Sequence, residues 1–177
     1  MSARADTLRA VIQQLDLEPL EVNLFRGQSR DVGTRSVFGG QVVAQALVAA
    51  ERTVDGRTPH SLHGYFLLPG DVAAPIVYQV ERLRDGRSFS ARRVQAIQHG
   101  RPIFSMIASF QVEEAGLEHA DPMPEVPPPD GLATYAELRE RWIAEAGPLP
   151  PRVLEALRAP GAFELRPVEP QNPLRPV

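Results

Sequence analysis

The apolar positions at the start of the chain follow a helical and then a strand-like spacing. Apolar side chains at i, i+3, i+4 and i+7 predict one face of a short amphipathic helix that ends near Pro19. The residues of that face are Leu8, Val11, Ile12 and Leu15. Residues 24–29 have the composition of a short strand.

Residues 36–50 form the longest run without a charged side chain, and Gly39 and Gly40 open the helix that we predict there. Most of the remaining side chains are Ala and Val, so neighbouring elements can approach this helix closely. A helix that is apolar on every side must be surrounded on every side. We therefore expect a mostly buried helix from residue 37 to about residue 53.

Alternating apolar positions then predict four antiparallel strands. Their expected ranges are 61–69, 75–84, 88–98 and 102–112. Residues 85–86 and 99–100 are tight-turn signals. In the third strand the alternation slips between Ala91 and Val94, which suggests a bulge or burial on both faces. A sheet curled around one central helix accommodates this order of elements, and the fold class is α+β.

The composition changes after residue 112, because 13 of the 18 prolines lie from Pro122 onward. Residues 122–129 have the pattern of an extended linker. Residues 133–146 predict a surface helix that docks through Leu138 and Trp142, and residues 152–158 predict another short helix. Residues 163–168 have the pattern of a strand that no later segment can pair with, which suggests a chain cut within a longer protein.

Composition and charge exclude several classes of function. The net charge is −3, so no global field attracts nucleic acid, and all 19 basic residues are Arg. The sequence has no Cys, which removes disulfides, thiolate nucleophiles and cysteine metal sites. No signal peptide and no membrane span is visible, so we expect a cytoplasmic protein with no membrane partner. No G-x-S-x-G, G-x-G-x-x-G or P-loop occurs.

Nine short strings, in the same order, resemble the acyl-CoA thioesterase II family. They are residues 24–27, 37–47, 60–63, 65–66, 69–71, 80–81, 86–94, 102–104 and 108–111. Each string alone is weak, but nine in order over most of the chain are specific. Residues 166–168 and 172–174 continue the likeness.

This resemblance implies a double hot-dog, in which two hot-dog units are joined by a proline-rich linker. The expected division is a first unit at 1–115, a linker with a surface helix at 116–162 and the start of a second unit at 163–177. Members of the family hydrolyse medium- and long-chain acyl-CoA and need no cofactor or metal. Their catalytic Asp, Thr or Ser, and Gln belong to the second unit, so the catalytic residues here are unknown.

The central helix leads to the same conclusion without the family. Thioester hydrolysis needs an activated water and a stabilised oxyanion. Residues 36–50 contain no carboxylate, although many one-unit hot-dog thioesterases carry their base on this helix. Gln41 and Gln45 can position a water, but an amide cannot take its proton.

Eight residues are predicted to contact the substrate. They are Phe38, Gly39, Gly40, Gln41, His60, Ser88, Phe89 and Arg92. The glycines let a thioester carbonyl approach free N–H groups at a helix start, or they simply allow tight packing. One of Arg92 and Arg93 is expected to meet a CoA phosphate, or both lie in solvated ion pairs.

The remaining candidates have a functional and a structural interpretation. His60 and His63 have an odd spacing that predicts opposite faces of a strand, so each is a proton shuttle or, more commonly, a hydrogen-bonded structural histidine. Asp31 and Asp71 lie in turn contexts that favour capping.

Three hypotheses about function remain at this stage. The chain is the N-terminal part of an acyl-CoA thioesterase, or a non-catalytic acyl-CoA-binding or scaffold module, or a hot-dog hydratase. A hydratase would need a carboxylate and a His near the helix start, and the sequence offers no such pair. In the first two cases the partner is acyl-CoA rather than nucleic acid, and we expect a homo-oligomer formed through the sheets.

Overall fold

The computed structural model describes residues 3–32, 35–159 and 161–175. The chain forms two units, one of residues 12–116 and one of residues 1–11 with 117–177. The first helix, α1, runs from Ala3 to Gln14 and confirms the first predicted helix. Its residues Leu8 and Ile12 remain exposed, however, and the chain continues past it into an unpredicted strand that contains Pro19.

The larger unit is an antiparallel sheet of six strands with one helix on it. The elements are β1 (Glu18–Glu21), β2 (Leu24–Gly27), α2 (Gly39–Glu51), β3 (Thr58–Phe66), β4 (Ile76–Asp85), β5 (Phe89–Gln98) and β6 (Arg101–Gln111). The strand order is β1-β2-β4-β5-β6-β3. The sequence thus predicted the α+β class, the central helix and four strands within a few residues.

The place of β3 differs from a simple meander. Strands β4, β5 and β6 are consecutive neighbours, but β3 pairs with β6 at the far edge rather than with β4. Between β5 and β6, His99 and Gly100 both have positive φ, at 49° and 71°. Two left-handed residues are what a two-residue hairpin turn requires, so the predicted turn is confirmed.

Helix α2 packs its small residues against the inner face of this sheet. Its fully buried residues are Val42, Gln45, Ala46, Ala49 and Ala50. The expected burial on every side is wrong, because one sheet covers one side of the helix. Val43, Leu47 and Val48 are only partly buried, although they pack against the same core.

Strand β5 alternates without interruption, contrary to the predicted slip. Its inward positions are Ser90, Arg92, Val94, Ala96 and Gln98, and all five are buried. The apparent slip arose because a buried arginine occupies an apolar position. The irregularity in this part of the sheet lies instead on β4, between Arg82 and Arg84.

The smaller unit contains two predicted helices, α3 (Tyr135–Ala146) and α4 (Pro151–Arg158). A capping box between Thr134 and Glu137 starts α3 and satisfies its first N–H groups. Hydrogen bonds from Thr134 also hold the pKa of Glu137 below its ordinary value. Leu138 and Trp142 are buried, as expected.

The strand expected at residues 163–168 is not present. This segment is irregular, since no described strand lies beside it to supply a ladder of hydrogen bonds. Single contacts fix it instead: Tyr135 N–H donates to Leu165 O over 2.7 Å, and Arg166 donates to Leu132 O over 2.9 Å. Within the described ranges, no helix combines the length and hydropathy needed to cross a bilayer.

Candidate functional site

The start of α2 presents two backbone N–H groups that have no acceptor among the described residues. Phe38, the N-cap residue, is extended and makes no side-chain cap. The N–H groups of Gln41 and Val42 both donate to Phe38 O, whereas Gly39 N–H and Gly40 N–H have no acceptor among the described residues. Free N–H groups at a helix N-terminus favour a partial negative charge such as a carbonyl oxygen.

The two glycines also make room for two aromatic rings. A Cβ at Gly39 would lie 2.9 Å from Cζ of Phe66, and a Cβ at Gly40 would lie 2.5 Å from Cε1 of Phe38. Real Cβ atoms do not approach rings this closely, so a side chain at either position would have to displace the exposed ring beside it. Packing and N–H presentation are compatible here, because the rings lie beside the helix start and leave its N–H groups unpaired.

A pocket of about 400 Å³ opens beside Gly39. Its wall is mainly apolar and includes the side chains of Val37, Val42, Phe66, Leu68 and Ile103. This volume is within the range of small-molecule sites, and an apolar wall suits a hydrocarbon chain.

The segment after β3 closes one side of this pocket. Leu67 N–H and Leu68 N–H both donate to Ile103 O, and Val37 N–H donates to Gly70 O over 2.9 Å. A Cβ at Gly70 would lie 3.1 Å from Cβ of Val37, so a side chain there would press tightly against Val37. Sequence reasoning missed this segment as part of a site, although Pro69-Gly70-Asp71 was one of the strings that signalled the family.

The two amides of α2 are engaged in a buried network. Gln45 Nε2 donates to Gln14 O over 2.7 Å, and Tyr78 Oη donates to Gln45 Oε1 over 2.7 Å. Gln41 Nε2 donates to Gln28 O over 2.9 Å, while its Oε1 accepts from Gln14 Nε2 over 3.2 Å. These contacts hold the segment after β2 on α2 and engage both amides, of which Gln45 is buried and Gln41 is partly exposed.

Arg92 is buried and has no donor left for a phosphate. Its Nε donates to Thr53 Oγ1 and its Nη2 to Thr53 O and Asp85 Oδ1, over 2.6 to 2.9 Å. Its Nη1 donates to Arg84 O and Ala91 O. These contacts use all five N–H groups of the guanidinium. Arg92 is therefore withdrawn from the substrate-binding set.

The charges around Arg92 are mutually compensated. Hydrogen bonds from Arg92 and then from Ser90 lower the pKa of Asp85, which stays ionised beside the buried guanidinium. Arg93 points to the opposite face and forms an exposed ion pair with Glu81. Neither arginine offers an unpaired cation.

The two histidines lie on one face of the sheet, contrary to the expectation from their spacing. A bulge between Pro59 and Ser61 adds one residue to β3, so His60 and His63 both lie on the face away from α2. His60 Nε2 is 2.8 Å from Ser109 Oγ, and its ring meets Phe89 edge-on with centroids 5.8 Å apart. His63 packs edge-on against Tyr65.

Of the two acidic candidates, Asp71 makes the contacts that the capping interpretation expects. Asp71 Oδ1 accepts from Ala73 N–H over 2.9 Å, and Asp71 Oδ2 is 3.0 Å from His99 Nε2. These contacts, the backbone one first, lower the pKa of Asp71. Asp31 is exposed. Among the described residues, no group of three or more side chains could hold a metal ion.

The eight candidate residues therefore do not form a single site. Gly39 lies beside Phe66, at the end of β3, whereas His60 and Phe89 meet near the start of that strand, on its other face. His60 and Phe66 are six positions apart along the strand, which corresponds to about 20 Å. Ser88 lies in the hairpin before Phe89, where its carbonyl accepts from Val112 N–H. The candidate site is thus the start of α2 with its pocket.

Comparison with known proteins adds a family to this geometry. The family model described as "Acyl-CoA thioesterase N-terminal domain" matches residues 27–111. Acyl-CoA thioesterase 2 of Haemophilus influenzae is 45% identical over 170 residues, which cover 96% of this chain and 58% of that protein. Human acyl-coenzyme A thioesterase 8 is 44% identical over 163 residues, which cover 88% and 50%. The chain spans about half the length of these curated relatives.

Solved structures agree with the fold. An acyl-CoA thioesterase II, TesB2, from Mycobacterium marinum aligns with a TM-score of 0.62 at 55% identity, over 68% of this chain and 45% of that one. A conserved hot-dog protein of unknown function from Alicyclobacillus acidocaldarius aligns with a TM-score of 0.64 at 27% identity, over 71% and 48%. The antiparallel sheet packed on α2 is thus a hot-dog fold.

Proposed function

We propose that this chain is part of an acyl-CoA thioesterase. It belongs to the acyl-CoA thioesterase II family and has the hot-dog fold. The enzyme would hydrolyse medium- and long-chain fatty acyl-CoA to free fatty acid and CoA. Fatty acyl-CoA is made and used inside cells, so a cytoplasmic role in fatty acid metabolism is part of the proposal.

The observation that carries this proposal is the pair of free N–H groups at Gly39 and Gly40 beside an apolar pocket. A thioester carbonyl at the start of α2 would accept from these donors, which would also stabilise the oxyanion formed on attack by water. The acyl chain would enter the pocket, since burial of each methylene is favourable by about 0.8 kcal/mol. The tetrahedral intermediate would then collapse and release the CoA thiolate.

We place the general base outside the 177 residues. No carboxylate occurs from residue 36 to residue 50, and Gln41 and Gln45 are engaged in the amide network. The family resemblance suggests an Asp, a Thr or Ser, and a Gln in a second hot-dog unit. In this proposal, residues 1–115 are the first unit, 116–162 the linker and 163–177 the start of the second.

A second candidate is a non-catalytic hot-dog module that binds acyl-CoA or completes a scaffold. The acid-free α2 favours this candidate for the chain by itself. The two candidates differ in turnover rather than in binding.

Thiol release from palmitoyl-CoA separates them. We expect the 177-residue chain to react at close to the buffer rate, because loss of a general base typically lowers the rate by ~10²–10⁴. A version extended by a second unit of roughly 110 residues should turn over. Gly40→Val in the extended version should lower that turnover, since the new side chain meets the Phe38 ring and obstructs the free N–H groups.

Two results would contradict this assignment. Robust turnover by the 177-residue chain, abolished by His60→Ala or Asp31→Asn, would place the base within these residues. Absence of turnover in the extended version, together with saturable acyl-CoA binding, would favour the non-catalytic module.

A further inference from the structure

Phe66 joins the edge strand, the pocket and the start of α2. It is the last residue of β3, and it lines the pocket together with Gly39. Its ring tip approaches Gly39 so closely that a Cβ there would lie 2.9 Å from Cζ. Despite these contacts, Phe66 remains 60% exposed, so its ring can be replaced without opening a cavity in the core.

The Phe66 ring packs against a second ring, Phe104, whose own position depends on a second glycine, Gly64. The Phe66 and Phe104 rings have centroids 4.9 Å apart, and Phe104 is buried. A Cβ at Gly64 would lie 2.6 Å from Cζ of Phe104, so Phe104 lies where it does because residue 64 has no side chain. The two glycines and the two rings form one continuous stack, Gly64–Phe104–Phe66–Gly39, that ends at the pocket wall.

We propose that Phe66, packed against Gly39, is a specificity-determining residue that limits the length of the acyl group in this pocket. The inference rests on the proposed function, because it takes the pocket to be the acyl site. The exposed side of the ring faces solvent rather than core, so ring size changes the room for a ligand more than it changes folding.

The test measures binding of non-hydrolysable S-alkyl-CoA thioethers to the chain by calorimetry, from butyl to dodecyl. Phe66→Ala should shift the preference toward longer chains and raise the ratio of dodecyl to hexyl affinity by about tenfold or more, since each buried methylene contributes about fourfold. Phe66→Trp should lower that ratio. Tyr65→Ala is the matched control, because Tyr65 is an exposed aromatic on the same strand and on the opposite face.

A double-mutant cycle tests the contact with Gly39. Gly39→Ala should displace the Phe66 ring and change the affinity for the preferred chain by about tenfold, but it should change little when Phe66 is already Ala. Phe66→Leu provides a milder truncation if Phe66→Ala unfolds, and thermal unfolding of every variant reports its folding.

Two outcomes would overturn the inference, and they are distinguishable. If the wild-type chain binds the thioethers but Phe66→Ala and Phe66→Trp keep its chain-length profile, the role of Phe66 is wrong and the proposed function stands. If neither the 177-residue chain nor the version extended by a second unit binds a thioether of any length, the pocket is not an acyl site, and the proposed function fails with the inference. An effect of Gly39→Ala that persists in the Phe66→Ala background would also overturn the proposed contact.

Discussion

At the scale of single residues, Arg92 shows where a pattern of apolar positions fails. Ser90, Val94 and Ala96 lie on the inward face of β5, yet the position between Ser90 and Val94 carries a charged arginine. The acceptors that make this burial possible come from Thr53, which is 39 residues away, and from Arg84 on the neighbouring strand β4. Only tertiary structure brings them together, so sequence periodicity could detect an irregularity but not its cause.

Replacement of Arg92 by Met should destabilise the fold strongly. Met fills part of the volume, but it removes the side-chain donors to the carbonyls of Thr53 and Arg84 and leaves Asp85 with Ser90 as its remaining partner among these contacts. We expect a loss of about 3 kcal/mol in the free energy of unfolding, measured by urea denaturation.

Arg93→Met is the matched control for this change. It removes an exposed ion pair with Glu81 and should cost under about 1 kcal/mol. Equal losses for the two variants would show that the five contacts of Arg92 contribute little.

The two histidines of β3 also show a limit of local sequence patterns. Their odd spacing in sequence predicted opposite faces, and one bulge residue in β3 reversed that conclusion. A bulge is set by the pairing of β3 with β6, some 50 residues later, and leaves no clear trace in the local sequence. Side-chain direction along a strand is therefore predictable only up to the first bulge.

At the scale of elements, α2 was predictable because its signal is local. Uncharged residues and an opening pair of glycines are enough to locate it within two residues of its observed start. The hydrogen bonds that hold α2 in place were not predictable, since Gln45 is bonded to Gln14 and Tyr78, which are 31 and 33 residues away in sequence. The place of β3 at the edge beside β6 depended on similar long-range pairing.

Tyr78 gives this network a pH-dependent signature. Burial raises the pKa of Tyr78 far above its ordinary value of 10.0. The unfolded chain therefore loses the Tyr78 proton at a lower pH than the folded chain, and the free energy of unfolding should fall as pH rises above about 10. The sequence has neither Lys nor Cys, so tyrosines are the side chains that titrate in this range.

Tyr78→Phe should reduce this alkaline loss of stability. At neutral pH the variant should be less stable by about 1 kcal/mol, because Gln45 Oε1 loses a donor. Urea midpoints across the alkaline range measure both effects. Tyr65→Phe is the control, since Tyr65 is exposed, and an identical slope in Tyr78→Phe and wild type would contradict the buried network.

At the scale of the whole molecule, the family was recognisable because nine strings retained their order, although each was weak. The division into units was less predictable. The larger unit spans residues 12–116, close to the expected first unit, but residues 1–11 belong with residues 117–177. The strand expected at residues 163–168 lacks a neighbour among the described residues, and strand propensity alone does not form a strand.

The edge of the sheet leads to a prediction about assembly. Strand β3 has a hydrogen-bonded neighbour on one side, β6, so its other edge is open to pairing. Exposed apolar side chains lie near this edge, namely Leu62 and Tyr65 on β3 and Ile107 on the neighbouring strand β6. We expect the isolated 177-residue chain to self-associate or aggregate, because an unprotected edge and partly exposed apolar side chains on α2 both favour contact with another copy.

Sedimentation over a range of protein concentrations tests this expectation, and Leu62→Lys supplies the matched variant. A lysine at this position places a charge on the inward side of the edge strand, which is how natural sheets block edge pairing. Leu62 is exposed, so the change should leave the circular dichroism spectrum unaltered while it shifts the distribution toward monomer. A well-folded wild-type monomer at all concentrations would contradict the prediction. Self-association that Leu62→Lys leaves unchanged would instead place the contact away from β3, with the half-buried Val43 and Leu47 of α2 as the next surface to test.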